Sequence, residues 1–590
     1  MQHLQRHPNG LCPLLRRART LLTACAVLVP ASSAPLAAQC PAATTERVSV
    51  SSAGVPGSGH SASGAGREIA VSDSGRFIAF TSEANNLVPG DTNGVADAFL
   101  HDRITGATAR VSVGDQGQQG NGGCEGVTMS GDGRFVAFAS LADNLVPGDA
   151  NAALDVFLFD AATGTSQLVS RTAQGAPGNG ASSWPSMDED GVAVAFQSAA
   201  TDLVSGDANG RIDIFLYRPS TGVVTLVSRA TSGAPSNGDS VTPDLSADAT
   251  HVAFATASTT FDPSDPNGLS DIYVRDLAQG TTTRIGNASG GYDGALLLPA
   301  ISSGGRFVAF ESPATNLAAG VASGFTNIYR YDRQSGVMLA VNRATDGSLA
   351  NQTSSECDIA ADGAWVTFKT NATNLGAGAL SNSTNVYVRR VDQGWTEVCS
   401  LSDDEELLNA ASFKPAVSGD GRFVAFRTGA SNVVSIPGTS TDVYLRDRSF
   451  GTRAAGGTYC LSSVNSTGAM AETNVGGNNR IGAQSLILLT ELLPTSSLGY
   501  YLLSETAGDV PGFGGSTGRL CLGGQIFRLS SFVQSAGAAG TVVQPLPFGA
   551  LPPGASLNPG EHWHFQYWYR DSAGGLPVSN TSTAVCVPLY

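Results

Sequence analysis

The sequence predicts an all-β chain: a seven-bladed β-propeller with N-terminal strand closure, followed by a small β-sandwich-like domain. A repeat of nearly constant length and four apolar runs inside every repeat predict the propeller. A fourth-run segment displaced to the front of the chain predicts the closure. The composition agrees, since 71 Gly and 28 Pro in 590 residues, with 14% charged residues, favour turns and short strands over long helices.

The repeats align on a Phe that ends a short apolar segment: Phe80, Phe138, Phe196, Phe254, Phe310, Phe368 and Phe426. Successive copies lie 58 residues apart, except for a 56-residue step from Phe254 to Phe310. A period held over seven copies marks a repeat architecture. The four runs read GVTMS, RFVAFAS, DVFLFD and SQLVS in the second copy, rich in the β-branched and aromatic residues that suit strands. The second run is apolar throughout rather than alternating, as a strand covered on both faces requires. SGDG (Ser130 to Gly133) and DAATGT (Asp160 to Thr165) make tight turns between runs one and two and between runs three and four, with Gly supplying positive φ. The other two connections are long. In an up-and-down meander the two kinds segregate, so one face of the ring has trimmed turns and the other elaborated loops, where binding is expected.

The seventh unit runs from DVYLRDR (Asp442 to Arg448) into SFGTRAAGG without a fourth run. ERVSV (Glu46 to Val50) matches the fourth-run segment ARVSV (Ala109 to Val113). The N-terminal strand is therefore expected to complete the last blade, and full closure removes the sheet edges that recruit other chains. The propeller is placed at 46–452 and a C-terminal module at 457–590.

The S-x-DG-RFVAF segment followed by D-V-F-L-x-D resembles bacterial TolB-like propeller repeats, relatives of the WD-repeat class. The resemblance implies the fold and little chemistry, because propellers host binding scaffolds, lyases, hydrolases and peptidase gates alike. In the C-terminal module, YC with NSTG, then LCLGG and FQYWYRD, are similar to an uncharacterised module recurring in secreted proteins of environmental bacteria.

The long loop after the second run repeats an acidic pattern: Asp91, Asn93 and Asp97; Asp149, Asn151 and Asp155; Asp207, Asn209 and Asp213; Asp265, Asn267 and Asp271. Oxygen ligands at i, i+2 and i+6 are a candidate calcium shell, to be completed by water or backbone. The structural alternative is an Asx-type turn in which Asp and Asn bond their own backbone. Copies five to seven have lost most of the pattern, which makes any such site lopsided around the ring. A G-x-S-x-G match at Gly514, Ser516 and Gly518 lies in a Gly-rich stretch without strand-turn-helix context and reads as a turn. His562 and His564 flank Trp563 with no third ligand nearby, so strand positions are expected rather than a zinc site.

Arg6, Arg16, Arg17 and Arg19 precede the apolar stretch Leu21 to Val29, and small residues follow up to Ala38. That order is the pattern of a cleaved export signal, placed at 1–38. Gln39 fits poorly before a lipid-modified Cys40, so secretion or a periplasmic location is expected over a lipid anchor. No later apolar run reaches membrane-spanning length. The net charge of −16 argues against a nucleic-acid partner. Seven cysteines follow the signal (Cys40, Cys124, Cys357, Cys399, Cys460, Cys521 and Cys586). In an oxidising compartment pairing is expected, with Cys460 and Cys521 the favoured bridge and an odd thiol left over.

In the C-terminal module the apolar run SLILLTELL is expected to form strand. Of the aromatics Trp563, Phe565, Tyr567, Trp568 and Tyr569, Phe565 and Tyr567 are expected to fill a core, with Trp563 and Trp568 on opposite faces by the two-residue period. The function expected from all this is a secreted, non-catalytic interaction protein binding a protein or polysaccharide through the long-loop face. The alternative is a secreted carbohydrate-active hydrolase or lyase with a carboxylate site at the propeller axis, aided by calcium. Inward carboxylates in a deep central pocket would favour the alternative.

Overall fold

The computed structural model describes residues 44–448 except 263–264, 266, 287–290, 322–323, 376–382 and 435–439, and beyond them 465–467, 469, 471–476, 487–511, 519–538, 540–546, 551–558, 562–573 and 576–588. The export signal, Cys40, Cys460 and the G-x-S-x-G match lie outside the described residues.

Residues 44–447 form seven four-stranded antiparallel sheets. Blade 1 consists of Ile69–Val71, Phe77–Ser82, Asp97–Asp102 and Ala107–Arg110; blade 2 of Cys124–Met129, Phe135–Ser140, Asp155–Asp160 and Thr165–Leu168. Blades 3 to 6 repeat this order over 182–226, 240–284, 297–340 and 354–398. The first strand of every blade touches those of both neighbours, and that of blade 7 (Ser412–Val417) touches that of blade 1. The ring is therefore a closed circle of seven.

The Phe that marks the period has a structural role. It faces the third strand's aromatic directly across the ladder, as in Phe80 opposite Phe99 and Phe426 opposite Tyr444. The two rings stack at 5.9 Å in blade 1 and 6.2 Å in blade 7, and Phe80, Phe99 and Phe426 are fully buried. Aromatic pairs of this kind contribute about 1 kcal/mol beyond their area. The Arg before the second strand is explained too. Arg134 grips Asp160 at the end of the third strand through two nitrogens (3.0 and 2.8 Å) and lies 4.6 Å over the Phe135 ring. Arg76, Arg306 and Arg422 repeat the clamp on Asp102, Asp332 and Asp447, and the guanidinium hydrogen bond holds Asp160 below the usual carboxylate range.

Blade 7 takes its fourth strand from the front of the chain. Thr44–Arg47 pairs with Asp442–Asp447, and the Val48 amide extends the pairing to the Val443 carbonyl at 2.9 Å. The strand begins two residues before the expected Glu46, because pairing follows the partner's length. The equivalence runs to side chains. Ser49 Oγ donates to Asp442 (2.9 Å) and accepts the Val443 amide (3.1 Å), as Ser112 does with Asp97 and Ala98 inside blade 1.

The C-terminal strands form a three-stranded sheet of Glu472–Gly476, Ile487–Glu491 and Val542–Pro545, a larger sheet around Leu498–Ser504, His562–Ala573 and Leu576–Pro588, and a hairpin of Thr506–Pro511 with Arg519–Gly523. Within SLILLTELL the described residues Ile487–Glu491 form strand, as expected. Trp563, Phe565, Tyr567 and Tyr569 all enter one core, a larger share of the aromatic run than Phe565 and Tyr567 alone, while Trp568 on the opposite face lies 5.2 Å from the Tyr500 ring. Glu491 joins this module to blade 6 through Arg390 at 2.8 Å. No described helix is long and apolar enough to cross a membrane.

Candidate functional site

The first strands line a cavity of about 230 Å³ on the ring axis, to which all seven blades contribute. Its wall has a feature that periodicity did not reveal. In blades 2 to 7 the first strand bulges, with an irregular step such as that between Ser183 and Ser186, and one residue at the bulge is left-handed. These residues are Gly126 (φ 61°), Trp184 (53°), Thr242 (52°), Leu298 (49°), Glu356 (53°) and Lys414 (55°). They follow the repeat spacing, so the ring imposes the conformation and the residue type does not. The bulge turns an amide toward the preceding blade: Gly126 to Glu68 (3.1 Å), Thr242 to Gln197 (2.9 Å), Glu356 to Glu311 (3.0 Å) and Lys414 to Glu356 (2.9 Å).

Left-handed backbone at non-glycine residues costs about 1 kcal/mol or more each and gathers at ligand sites. Thr242 is the most strained, being β-branched, and its buried Oγ1 has no hydrogen-bond partner. Thr242→Gly is therefore expected to raise stability by about 1 kcal/mol in urea denaturation. A loss of about 1 kcal/mol instead would show that the Thr242 side chain contributes packing that outweighs the strain.

The cavity carries charge, nearly all of it neutralised in place. Arg67 reaches across the axis from blade 1 to Asp244 of blade 4 (2.9 Å) and the Pro299 carbonyl of blade 5 (2.9 Å), with Asp358 of blade 6 at 4.0 Å. Asp244 also accepts Ser186 Oγ (3.0 Å) and the Ile301 amide (2.7 Å), and Asp358 the Val417 amide (2.9 Å). Burial raises both carboxyls and Arg67 pulls them back. Glu356 pairs with Lys369 at 2.8 Å, and Lys414 Nζ donates to the Gly66 carbonyl at 2.9 Å. Trp184, Thr242 and Leu298 supply the half-buried remainder of the wall.

At the short-turn end a belt of backbone hydrogen bonds runs around most of the axis: Asp73 to Gly131 (3.0 Å), Gly131 to Glu189 (2.8 Å), Glu189 to Ala247 (3.0 Å), Asp248 to Ser303 (3.4 Å), Ser303 to Ala361 (2.9 Å) and Ala361 to Gly419 (3.0 Å). Strand-like spacing around seven blades puts this belt about 5 Å from the axis. Asp73 fills the opening, and Gly131 and Gly419 make room, since a Cβ there would lie 2.5 and 2.6 Å from its carboxylate oxygens. A side-chain hydrogen bond to Asp73, followed by its charge, pushes Glu189 up to about 7. The cavity thus opens toward the long loops.

The acidic loop residues lie at the loop roots, away from the axis. In blades 1 to 3 the Asn is a latch: Asn93 Nδ2 donates to Asp97 (3.0 Å) and the Gly120 carbonyl (2.9 Å) while Oδ1 accepts the Val95 amide (3.2 Å). Asn151 and Asn209 repeat it on Asp155 and Asp213, and Asn267 binds the Tyr292 carbonyl at 2.9 Å. The Asx-turn reading describes the Asn residues. In blade 1 Arg110 already lies between Asp91 (3.5 Å) and Asp97 (3.2 Å), and in blade 4 Arg284 between Asp265 (3.4 Å) and Asp271 (3.1 Å). Among the described cysteines, Cys124, Cys357 and Cys399 are unpaired and buried, more free thiols than the single odd one expected, while Cys521 is disulfide-bonded. Burial pushes the Cys124 and Cys399 thiols up to about 12, which keeps them inert.

No family model matches the chain, and no curated protein matches it. In fold it resembles TolB and other WD-repeat-like propellers. TolB from Acinetobacter baumannii is 16% identical over 60% of this chain and 75% of its own, with a TM-score of 0.31. The β-propeller domain of the Trilobed protease from Pyrococcus furiosus is 10% identical over 68% of this chain and 99% of its own, at 0.40. A prolyl endopeptidase is 11% identical over 74% and 55%, at 0.39. The architecture itself rests on the seven sheets.

Sequence reading missed the axial residues Arg67, Trp184, Thr242, Glu356 and Lys414. The available signal was a Pro at fixed offset before the marker Phe (Pro185, Pro243, Pro299 and Pro415), which flags an interrupted strand.

Proposed function

We propose that this chain is an exported, non-catalytic binding protein that offers its long-loop face to a protein or glycan, with the axial cavity receiving a projecting group of the ligand. The observation that carries this reading is the saturation of the axial carboxylates. Asp244, Asp358 and Glu356 are each tied to a cation or to amides of a neighbouring blade, so none stands free for proton transfer, while Trp184 and Leu298 face the cavity. The basic, apolar and small segments of 1–38 support export to the periplasm or exterior. The C-terminal module serves as a second attachment domain, stapled by Cys460 and Cys521.

The alternative, a carbohydrate-active hydrolase or lyase, is favoured by one observation, the Asp73 and Glu189 carboxyls sharing a hydrogen bond at the short-turn end. A panel of soluble polysaccharides and peptides, screened by calorimetry and for product release, separates the two. Binding without turnover, weakened about tenfold or more by Trp184→Ala, supports the binding protein. Turnover abolished by Glu189→Gln replaces it with the enzyme.

A further inference from the structure

Every blade begins its third strand with a buried Asp or Asn: Asp97, Asp155, Asp213, Asp271, Asn327, Asn385 and Asp442. One position on the fourth strand, opposite the third-strand aromatic, is occupied in the same blade order by Arg110, Leu168, Leu226, Arg284, Ala340, Val398 and Arg47. In five blades the buried acid either meets a guanidinium or is absent. Arg110, Arg284 and Arg47 approach Asp97, Asp271 and Asp442 to 3.2, 3.1 and 3.2 Å, and where the fourth strand offers only Ala340 or Val398 the acid is replaced by Asn.

Blades 2 and 3 break the rule. Asp155 and Asp213 face Leu168 and Leu226, and each has a second buried carboxylate beside it, Asp149 at 9% exposure and Asp207 at 6%. Burial raises Asp155 and Asp213 above the usual carboxylate range, and repulsion from Asp149 and Asp207 adds to the rise. Neither carboxylate oxygen of Asp207 has a hydrogen-bond partner. Two buried negative charges without a counter-charge cost several kcal/mol.

We infer that blades 2 and 3 each bind one calcium ion between these paired carboxylates, Asp149 with Asp155 and Asp207 with Asp213, where blades 1 and 4 place the guanidinium of Arg110 and Arg284. Carboxylate oxygens suit a hard divalent cation, and backbone oxygens and water complete its shell. Among the described residues no three His, Cys, Asp or Glu side chains converge as metal ligands, so each site has two charged ligands and an affinity on the order of 10⁻⁴ to 10⁻³ M, the range of extracellular calcium modules. The inference is independent of the ligand assigned to the axial cavity.

The test is calcium titration of the chelator-treated full chain by calorimetry, with melting followed in parallel. Wild type is expected to take up two equivalents and to melt higher with calcium. Leu226→Arg, which supplies blade 3 with the guanidinium of blade 1, is expected to take up one, and Leu168→Arg with Leu226→Arg none, with the calcium-dependent rise in melting gone. Should an Arg variant fail to fold, Asp149→Asn and Asp207→Asn, which keep side-chain size, read the same loss one site at a time. No uptake by wild type up to about 10 mM calcium, or two equivalents retained in the double variants, overturns the inference.

Discussion

Replacing Arg67 by Met is expected to destabilise the ring by about 3 kcal/mol, the cost of stranding a buried carboxylate when its partner is removed. Arg67 lines the axial cavity with 34% of its side chain open, and it is the cation between Asp244 and Asp358. Urea denaturation at pH 7.5 measures the loss, and Asp244→Asn with Asp358→Asn in the Arg67→Met background is expected to restore most of it, because the carboxylates are then neutral. The pH dependence has a defined sign. Burial raises Asp244 and Asp358 above their unfolded values even beside Arg67. A raised carboxyl contributes stability that is complete below its unfolded pKa and disappears as pH climbs through its folded one. Without the guanidinium both folded values rise further, so the deficit of Arg67→Met shrinks as pH falls from 7.5 toward 5. A variant within about 1 kcal/mol of wild type at pH 7.5 would show that cavity water already screens the carboxylates.

Removing residues 44–50 is expected to cost more than any single substitution. The truncation deletes the fourth strand of blade 7, the buried Val48 and the Arg47–Asp442 contact at 3.2 Å. One buried aliphatic side chain is worth about 2 kcal/mol and a broken buried ion pair about 3 kcal/mol, so at least about 5 kcal/mol is lost together with the ladder. Asp442–Asp447 then becomes an open edge, and edges of this kind recruit other strands. The expected result is a lower melting temperature with concentration-dependent association by light scattering, both reversed when a peptide of residues 44–50 is added. A truncated chain that melts with wild type and stays monomeric would mean the ring closes without its clasp.

The period, the four strands per blade, the face carrying the long loops and the clasp were all legible in the residues, because each depends on local pattern. The Phe that sets the spacing is apolar in every copy since it stacks across one ladder, and ERVSV betrayed its origin because Ser49 must satisfy Asp442 as Ser112 satisfies Asp97. The loop Asn residues were legible as turn formers for the same reason: Asn93 binds an amide two residues away.

The axis was decided only by the tertiary structure. Arg67 meets Asp244 across 177 residues, a distance that no window of sequence spans, and the left-handed bulges at Trp184, Thr242 and Lys414 arise because seven inner strands must each turn an amide to a neighbour in a narrow circle. The charge balance of the blades has the same origin. Leu168 and Leu226 look unremarkable in a strand until pairing brings the fourth strand to the third beside a buried Asp, and only then does a missing Arg become an unmet charge. Sequence alone determined which residues form strands and turns, since that is governed by backbone preference and local burial. Which charges meet was settled by ring closure, since electrostatics in a dry interior depends on distances that exist only after the blades have packed.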